Sequence, residues 1–334
     1  MLFNFTRRAL LGATAAATVL ISAGIAAAQD KIQLRMSTVA TETDQRTVAL
    51  AEVFGPGVAD FANYEAHYNG TLFKQATELE AIARGNLEMA IISAQELSSF
   101  FPEFSVFTAG YLHRDAAHQV AVFNDALMDP FKKKVEDELG VKLLTVMYLG
   151  RRQLNLRQSQ SELNVQTPAD LAGVKLRMPG TDAWMFLGTA LGANPVPVAF
   201  GEVYTGLQTG AIDGQDNPLP TDKDSKFYEV TKQIVLTSHL VDLNYLALSL
   251  DAWNKMTPEQ QAATQKAADD AAELGRQRQL QLEADLVAFF KEQGLAVYEP
   301  DVAAFRDAVQ AAYLASPYAE SWPAGIVDAI NAAN

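Results

Sequence analysis

Two short polar stretches in an otherwise apolar segment contain side chains suited to binding a ligand. In "VKLRMPG", Arg177 projects from an apolar run, and in "DGQDNPLP" two aspartates, a glutamine and Asn217 come before the prolines. A guanidinium can donate two parallel hydrogen bonds, which is the geometry that a carboxylate accepts. Most arginines are solvated surface charges, so the case for an anion site at Arg177 depends on where the fold places it.

Other charged residues near these stretches have several possible roles. Three arginines precede Arg177 in "LGRRQLNLR", directly after the buried-strand pattern "LLTVMYLG". Asp213 and Asp216 lie three residues apart, but "DGQDNP" lacks the further oxygen ligands of a calcium loop. We therefore predict that these aspartates hold a turn through side-chain hydrogen bonds.

Composition and missing motifs narrow the classes of function. The 334 residues include no cysteine, which excludes thiolate nucleophiles and Cys-ligated metals. None of the four histidines lies in an H-E-x-x-H pattern, and the P-loop, G-x-G-x-x-G and G-x-S-x-G motifs are missing. Asp and Glu outnumber Lys and Arg by 40 to 26, which argues against a nucleic-acid partner. We predict a protein that is not an enzyme and uses no metal or cofactor.

The elements around these stretches alternate between strand and helix. Thr167 and Asp170 can cap a helix in "QTPADLAG", the strand "VKLRM" follows, and after two more helical patterns a short strand leads into "GQDNP". In open α/β sheets, ligands bind beyond the carboxyl ends of the strands. The pattern therefore predicts that Arg177 and Asn217 reach the same edge of one sheet. Further along the chain, Thr257 begins a very long helical pattern that runs towards Gly294 and is predicted to be a strut.

The first 28 residues have the pattern of an export signal. Arg7 and Arg8 precede an apolar run that ends in Ala26-Ala27-Ala28, so we predict cleavage after Ala28 and a periplasmic protein. The arginine pair leaves both the twin-arginine route and the general route open. An uncleaved membrane anchor is the alternative.

Dense motifs in a fixed order give the chain a resemblance to a known family. "VKLRMPG", "ALGANPVPVAFGEVYTGLQTGAIDGQDNPLP", "KFYEVTKQIVLTSHL" and "FFPEF" resemble the substrate-binding proteins, of DctP type, of tripartite ATP-independent periplasmic (TRAP) transporters. The resemblance covers essentially the whole chain after the signal. It implies an α/β, two-lobed periplasmic binding protein fold with hinge strands and a long C-terminal strut helix. We predict that one lobe comprises residues 29–152 and about 243–282, and the other residues 153–242 and about 283–334.

The resemblance also implies particular ligand-binding residues in the second lobe. The family's arginine that pairs with the ligand carboxylate corresponds to Arg177, and its asparagine in "D-G-Q-[ED]-N-P" corresponds to Asn217. An aromatic residue that borders the ligand corresponds to Phe200, with Tyr204 as a further candidate.

Three further positions follow less regular versions of the family pattern. A second arginine is expected in "LGRRQLN", where Arg152 is our choice and Arg151 the rival. In the first lobe, "LFKQATELEA" replaces the commoner family pattern and leaves Gln75 and Glu78 as candidates for selecting the ligand.

These expectations lead to one main hypothesis and two alternatives. The main one is a monomeric receptor that closes over an organic acid and delivers it to membrane permease subunits. As candidate ligands, uronates or aldonates are favoured over C4-dicarboxylates. Sulfonates, sialic acid and ectoine-like zwitterions are further possible ligands. The alternatives are a ligand-sensing partner of a signalling receptor and an exported α/β hydrolase, although a hydrolase would need the missing nucleophile elbow.

Overall fold

Nine strands of the computed structural model, which describes residues 31–334, form one mixed sheet. The predicted signal peptide lies outside the described residues. The strands are β1 (Ile32–Ser37), β2 (Ala62–His67), β3 (Met89–Ser93), β4 (Val141–Leu156), β5 (Lys175–Met178), β6 (Asn194–Pro197), β7 (Gly214–Pro218), β8 (Gln233–Ser249) and β9 (Ala296–Tyr298).

Helices cover the sheet and confirm the predicted α/β composition. They are α1 (Gln45–Ala49), α2 (Gly55–Val58), α3 (Glu78–Ala83), α4 (Ala94–Ser98), α5 (Ala116–Asn124), α6 (Asp129–Leu139), α7 (Asp182–Ala190), α8 (Val203–Thr209), α9 (Leu219–Asp224), α10 (Leu250–Trp253), α11 (Pro258–Glu292), α12 (Val302–Leu314), α13 (Pro317–Ser321) and α14 (Ile326–Ala332). A π-helical segment, Leu50–Phe54, joins α1 to α2. Short 3₁₀ helices span Pro102–Thr108, Ala126–Met128, Pro168–Leu171, Phe200–Glu202 and Phe227–Glu229.

Two groups of parallel strands are joined by the long antiparallel pair β4 and β8. The order is β2-β1-β3-β8-β4-β7-β5-β6, and β9 pairs with β8. Strand β1 is parallel to β2 and β3, and β5 is parallel to β6 and β7. Strands β4 and β8, of 16 and 17 residues, run through the middle of the sheet. Strand β8 pairs antiparallel with β3 of the first group, and β4 pairs antiparallel with β7 of the second, so the pair links the two groups.

The β4–β8 ladder is irregular near its middle. Its register shifts between Tyr148 and Gly150 and again between Arg152 and Leu154. Gly150 has a φ of 133°, and a Cβ atom there would lie 2.6 Å from the Cβ of Pro218. Only glycine fits this backbone conformation and this close contact, so the bend in β4 requires Gly150.

Separate hydrophobic clusters lie on the two sides of this bend. Leu34 of β1 packs with Leu246 in one cluster. Leu154 and Leu176 pack with Val235 in another. The two ends of β4 and β8 therefore contribute to different cores, although the residue boundaries of the two lobes stay a prediction.

Helix α11 is the predicted strut. Thr257 and Gln260 form a capping box at its start, and the helix continues through Gly275 for 35 residues. Gln265 and Gln279 donate hydrogen bonds to backbone carbonyl oxygens of β4, so the helix is tied to the central strand. Within residues 31–334, no helix combines the length and apolar character needed to cross a bilayer.

The structure corrects two local predictions. The capping box of Thr167 and Asp170 is present, but it begins a single 3₁₀ turn and not an α-helix. "GQDNP" is strand β7 and not a turn, and Asp216 lies buried at its centre. A polar strand is stable here because Arg152 of β4 and His239 of β8 both contact the Asp216 carboxylate. Asp213 does bond the backbone as predicted, accepting from the Lys175 amide at 2.9 Å.

Candidate ligand-binding site

A polar cavity lies where β4, β5 and β7 face residues that follow β1 and β3. It has a volume of about 70 Å³, which is room for several water molecules. A wider opening of about 470 Å³ adjoins it and shares Gln75 and Phe200 with its wall. Charged groups line the cavity: Asp44, Arg46, Glu78, Glu96, Arg152, Arg177 and Asp224.

Arg177 is a buried cation that has no acidic partner within residues 31–334. Its side chain on β5 is 1% exposed. Nε donates to the Val198 carbonyl oxygen at 2.8 Å, and Nη2 donates to Gln75 Oε1 at 3.0 Å. No ion pair found among residues 31–334 includes this guanidinium. Burial lowers the pKa of Arg177 to about 9, and nearby Asp216 only partly opposes that effect. An anion in the cavity would supply the missing countercharge.

The Arg177 guanidinium also faces an aromatic ring. Its central carbon lies 5.6 Å from the centroid of Phe200, which packs edge-on against Phe227. Such an arrangement orients the guanidinium plane and shields it from water. Phe200 therefore lies in the cavity wall, and its contact with the ligand stays a prediction.

Arg152 is also buried in the cavity wall, but its charge is already compensated. Nε donates to Asp242 Oδ2 at 2.6 Å, and Nη1 donates to the Asp216 carbonyl oxygen at 2.7 Å. Burial alone would lower the pKa of Arg152, but the charges of Asp242 and Asp216 outweigh it and raise that pKa. The guanidinium also stacks on Trp184 at 4.2 Å. These contacts hold Arg152 rigidly and leave its Nη2 group as a donor for the cavity.

The choice between the two adjacent arginines is decided by the backbone. Arg151 does not line the cavity, and its Nη2 donates to the Arg114 carbonyl oxygen at 2.8 Å on the outside. Successive side chains of a strand point to opposite faces, so only one of the pair can face inward. The structure places Arg152 there, as predicted.

Asn217 is held in place by a chain of buried amides on β7. Its Nδ2 donates to Gln215 Oε1 at 2.5 Å, and Gln215 Nε2 donates to Asp222 Oδ1 at 2.7 Å. An amide nitrogen carries two hydrogens, so Asn217 keeps a second N–H for the cavity that it lines. Arg177, Arg152 and Asn217 are thus brought together as predicted.

Glu78 of α3 and Glu96 of α4 form a buried acidic pair on the first side of the cavity, which is the side built from residues that precede β4. Burial, and next the charge of Glu96, raise the pKa of Glu78 to about 9. Glu96 accepts hydrogen bonds from the backbone amides of Ser93 at 2.7 Å and Ala76 at 3.1 Å. Burial also raises the pKa of Glu96. The pair therefore favours holding a proton, which can be donated to a ligand oxygen.

Gln75 and Tyr204, two of the predicted ligand-binding residues, lie in different parts of the site. Gln75 bridges the two sides by accepting from Arg177. Tyr204 lies only at the wider opening, where its hydroxyl donates to Glu229 Oε2 at 2.8 Å. Gln75 is therefore in the inner cavity wall and Tyr204 is outside it.

Sequence reasoning missed one group of cavity residues. Asp44, Arg46, Asn244 and Asp224 all line the cavity. The side chain of Asp44 accepts from the Arg46 amide as the N-cap of α1, so a capping signal in "TETDQRT" was available. Nothing local indicates that Arg46 meets Asn244, which lies on β8.

A polar cavity between the two halves of the sheet, with a buried arginine in its wall, fits a protein that binds a solute between two lobes. Residues 56–319 match the family model of bacterial extracellular solute-binding proteins, family 7 (DctP). The chain therefore belongs to this family of receptors, which are not enzymes, and the match confirms the predicted resemblance and the two-lobed fold class.

Two similar proteins with solved structures hold sugar acids, and a sequence relative binds sialic acid. A TRAP periplasmic solute-binding protein from Roseobacter denitrificans, solved with bound 3-deoxy-D-manno-oct-2-ulosonic acid (KDO), is 66% identical with a TM-score of 0.90 over 91% of this chain and 100% of that chain. A second protein from Roseobacter denitrificans OCh 114, with bound L-galactonate, is 28% identical with a TM-score of 0.81 over 90% and 98% of the two chains. The sialic acid-binding periplasmic protein SiaP of Vibrio cholerae is 31% identical over 235 residues, which are 70% of this chain and 72% of SiaP.

Proposed function

We propose that the protein is the periplasmic receptor of a TRAP transporter and that its ligand is a sugar acid of the ulosonic class, with KDO as the leading candidate. The single observation that carries this proposal is the buried, unpaired guanidinium of Arg177 in the wall of a polar cavity. The 66% identity to a protein with bound KDO supports the choice of acid. Export by the N-terminal signal, delivery to membrane permease subunits and a monomeric state are parts of the same proposal.

The carboxylate is proposed to bind between Arg177, the free Nη2 of Arg152 and the free amide hydrogen of Asn217. One charge-assisted hydrogen bond contributes roughly 1.5 to 3 kcal/mol, whereas a micromolar Kd requires about 8 kcal/mol. Several donors must therefore act together. Since Arg152 is already neutralised by two acids, the carboxylate would chiefly compensate Arg177.

The remaining candidates are proposed to recognise the rest of the ligand. Gln75 and Glu78 lie on the first side of the cavity and can hydrogen bond to hydroxyl groups. Phe200 offers an apolar face to the carbon skeleton, as aromatic side chains commonly do in sugar sites. Tyr204 would contact only a ligand that reaches the outer opening.

The two lobes are proposed to move about the bend in β4 and β8. The predicted boundaries at residues 152 and 242 fall at this bend, close to Gly150. Because both groups of strands supply cavity walls, opening the bend would expose the ligand, and closing it would exclude water. The hydrogen bond from Arg177 to Gln75 joins the two walls in the structure.

Calorimetric titration of the purified protein tests the ligand class. We expect KDO to bind with a Kd of roughly 1 μM or below, and to raise the melting temperature by mass action. Galacturonate, galactonate, succinate and neutral sugars complete the panel. Binding of a neutral sugar but of no acid would contradict the proposal, and so would the absence of any stabilising acid.

A further inference from the structure

A second buried polar cluster lines the same cavity, on α1 and β8. Arg46 Nε lies 3.0 Å from Asp44 Oδ1, and Nη2 lies 2.8 Å from Asp44 Oδ2. Arg46 Nη1 donates to Asn244 Oδ1. Asp44, Arg46 and Asn244 are 6%, 6% and 8% exposed, so the cluster is nine-tenths buried.

This cluster can still bind a ligand. A guanidinium has five N–H groups, and these contacts use three of them. One hydrogen of Nη1 and one of Nη2 therefore stay free at a cavity wall. The carboxylate of Asp44 also has lone pairs left for hydroxyl donors.

The part of the cavity wall formed by this cluster differs in charge from the part formed by Arg177. The side chain of Arg177 bonds Val198 and Gln75, whereas that of Arg46 bonds Asp44 and Asn244, so the two guanidinium groups share no hydrogen-bonding partner among residues 31–334. Asp224, by contrast, lies close enough for Asp44 and Arg46 to act on its pKa, which burial first and Asp44 next raise to about 7. The cavity thus has one end with an unpaired cation and another where a cation is already neutralised and acids predominate.

We propose that Asp44, Arg46 and Asn244 form the subsite for the hydroxylated tail of the acid and exclude ligands that carry a second carboxylate. This inference rests on the proposed function. Hydroxyl groups match a neutral ion pair that offers both donors and acceptors. A second carboxylate at this end would lie beside Asp44 and Asp224, and the one cation there, Arg46, is already paired with Asp44. It would therefore be buried without a countercharge, which is costly.

Asp44→Asn tests this subsite without removing the helix cap, because asparagine caps helices as well as aspartate does. The substitution leaves Arg46 with an uncompensated charge. Calorimetry would measure KDO and galactarate, a six-carbon sugar acid with two carboxylates, on both proteins. We expect the affinity for galactarate relative to KDO to rise by roughly tenfold or more in Asp44→Asn.

The control is Asp301→Asn, which alters the N-cap of α12 on the surface and should leave both affinities unchanged. If Asp44→Asn does not fold, Arg46→Lys replaces it, and KDO affinity should fall by roughly tenfold or more because the guanidinium fork is lost.

The outcomes separate this inference from the proposed function. An unchanged KDO-to-galactarate ratio, or no detectable galactarate binding by Asp44→Asn, would overturn the subsite while the receptor stands. Equal affinity of the wild-type protein for both acids would do the same. If wild-type protein binds no KDO, the proposed ligand is wrong and the subsite falls with it.

Discussion

Replacing Arg177 by glutamine should weaken ligand binding strongly without destabilising the ligand-free protein. Most substitutions of a fully buried residue destabilise the fold. Arg177 is different because its guanidinium is buried and has no carboxylate partner in the described part of the chain. The glutamine amide can still donate a hydrogen bond in place of the one that Nε makes to the Val198 carbonyl oxygen at 2.8 Å.

The size of the effect follows from the buried charge. Burial lowers the pKa of Arg177 to about 9, and each unit of pKa corresponds to about 1.4 kcal/mol, so the unpaired cation opposes folding by a few kcal/mol. The hydrogen bonds lost with the guanidinium act in the opposite direction and contribute about 1 to 3 kcal/mol. We therefore expect the free energy of unfolding of the ligand-free variant to lie within about 1 kcal/mol of wild type, or above it.

Ligand affinity, unlike the stability of the ligand-free protein, should fall strongly in Arg177→Gln. Removing one partner of a buried charge pair costs about 3 to 5 kcal/mol, which corresponds to a loss of roughly 150-fold to several thousandfold in KDO affinity.

The pH dependence of stability follows from the linkage between proton binding and folding. Because the folded pKa lies below the unfolded one, the unfolded chain binds more protons above pH 9, so this group makes wild-type protein gain stability there and the variant does not.

Calorimetry with KDO and urea denaturation at pH 7 and pH 10, each with and without ligand, measure these quantities. Arg84→Gln is the matched control, since that arginine is exposed on the surface beside Glu80. KDO affinity within threefold of wild type would refute the assigned role. A ligand-free variant destabilised by more than about 3 kcal/mol would refute the argument from the unpaired charge.

Three further substitutions test other parts of the structure. Glu78→Gln should flatten the fall in stability between pH 5 and pH 9, because the folded pKa of about 9 keeps a proton that the unfolded chain releases; identical melting profiles across that range would contradict this. Asp242→Asn should lower the free energy of unfolding in urea by about 3 kcal/mol by leaving buried Arg152 short of one charge, and a loss below about 1 kcal/mol would argue against it. Gly150→Ala should cost about 2 kcal/mol or more at its φ of 133°, whereas Gly201→Ala, in open space, should change stability by less than about 0.5 kcal/mol; equal effects would disprove the strain.

The family, the α/β composition and the long helix α11 could be predicted because their signals are local. Capping at Thr257 and the helical pattern after it depend on neighbouring residues. The meeting of Arg177 and Asn217 at one cavity was also predictable, since it follows from the strand-helix alternation around them.

Tertiary structure decided the features that depend on partners distant in the chain. Alternation along β4 puts one of Arg151 and Arg152 inward, and the register of β4 against β8 decides that it is Arg152. Asp216 looked like a turn residue because its partners, Arg152 and His239, come from other strands. Arg46 reaches Asn244 across 198 residues of sequence, and no local pattern encodes such a contact. Local signals determine the elements and the family motifs, whereas the charge balance of the cavity exists only once separate strands are packed together.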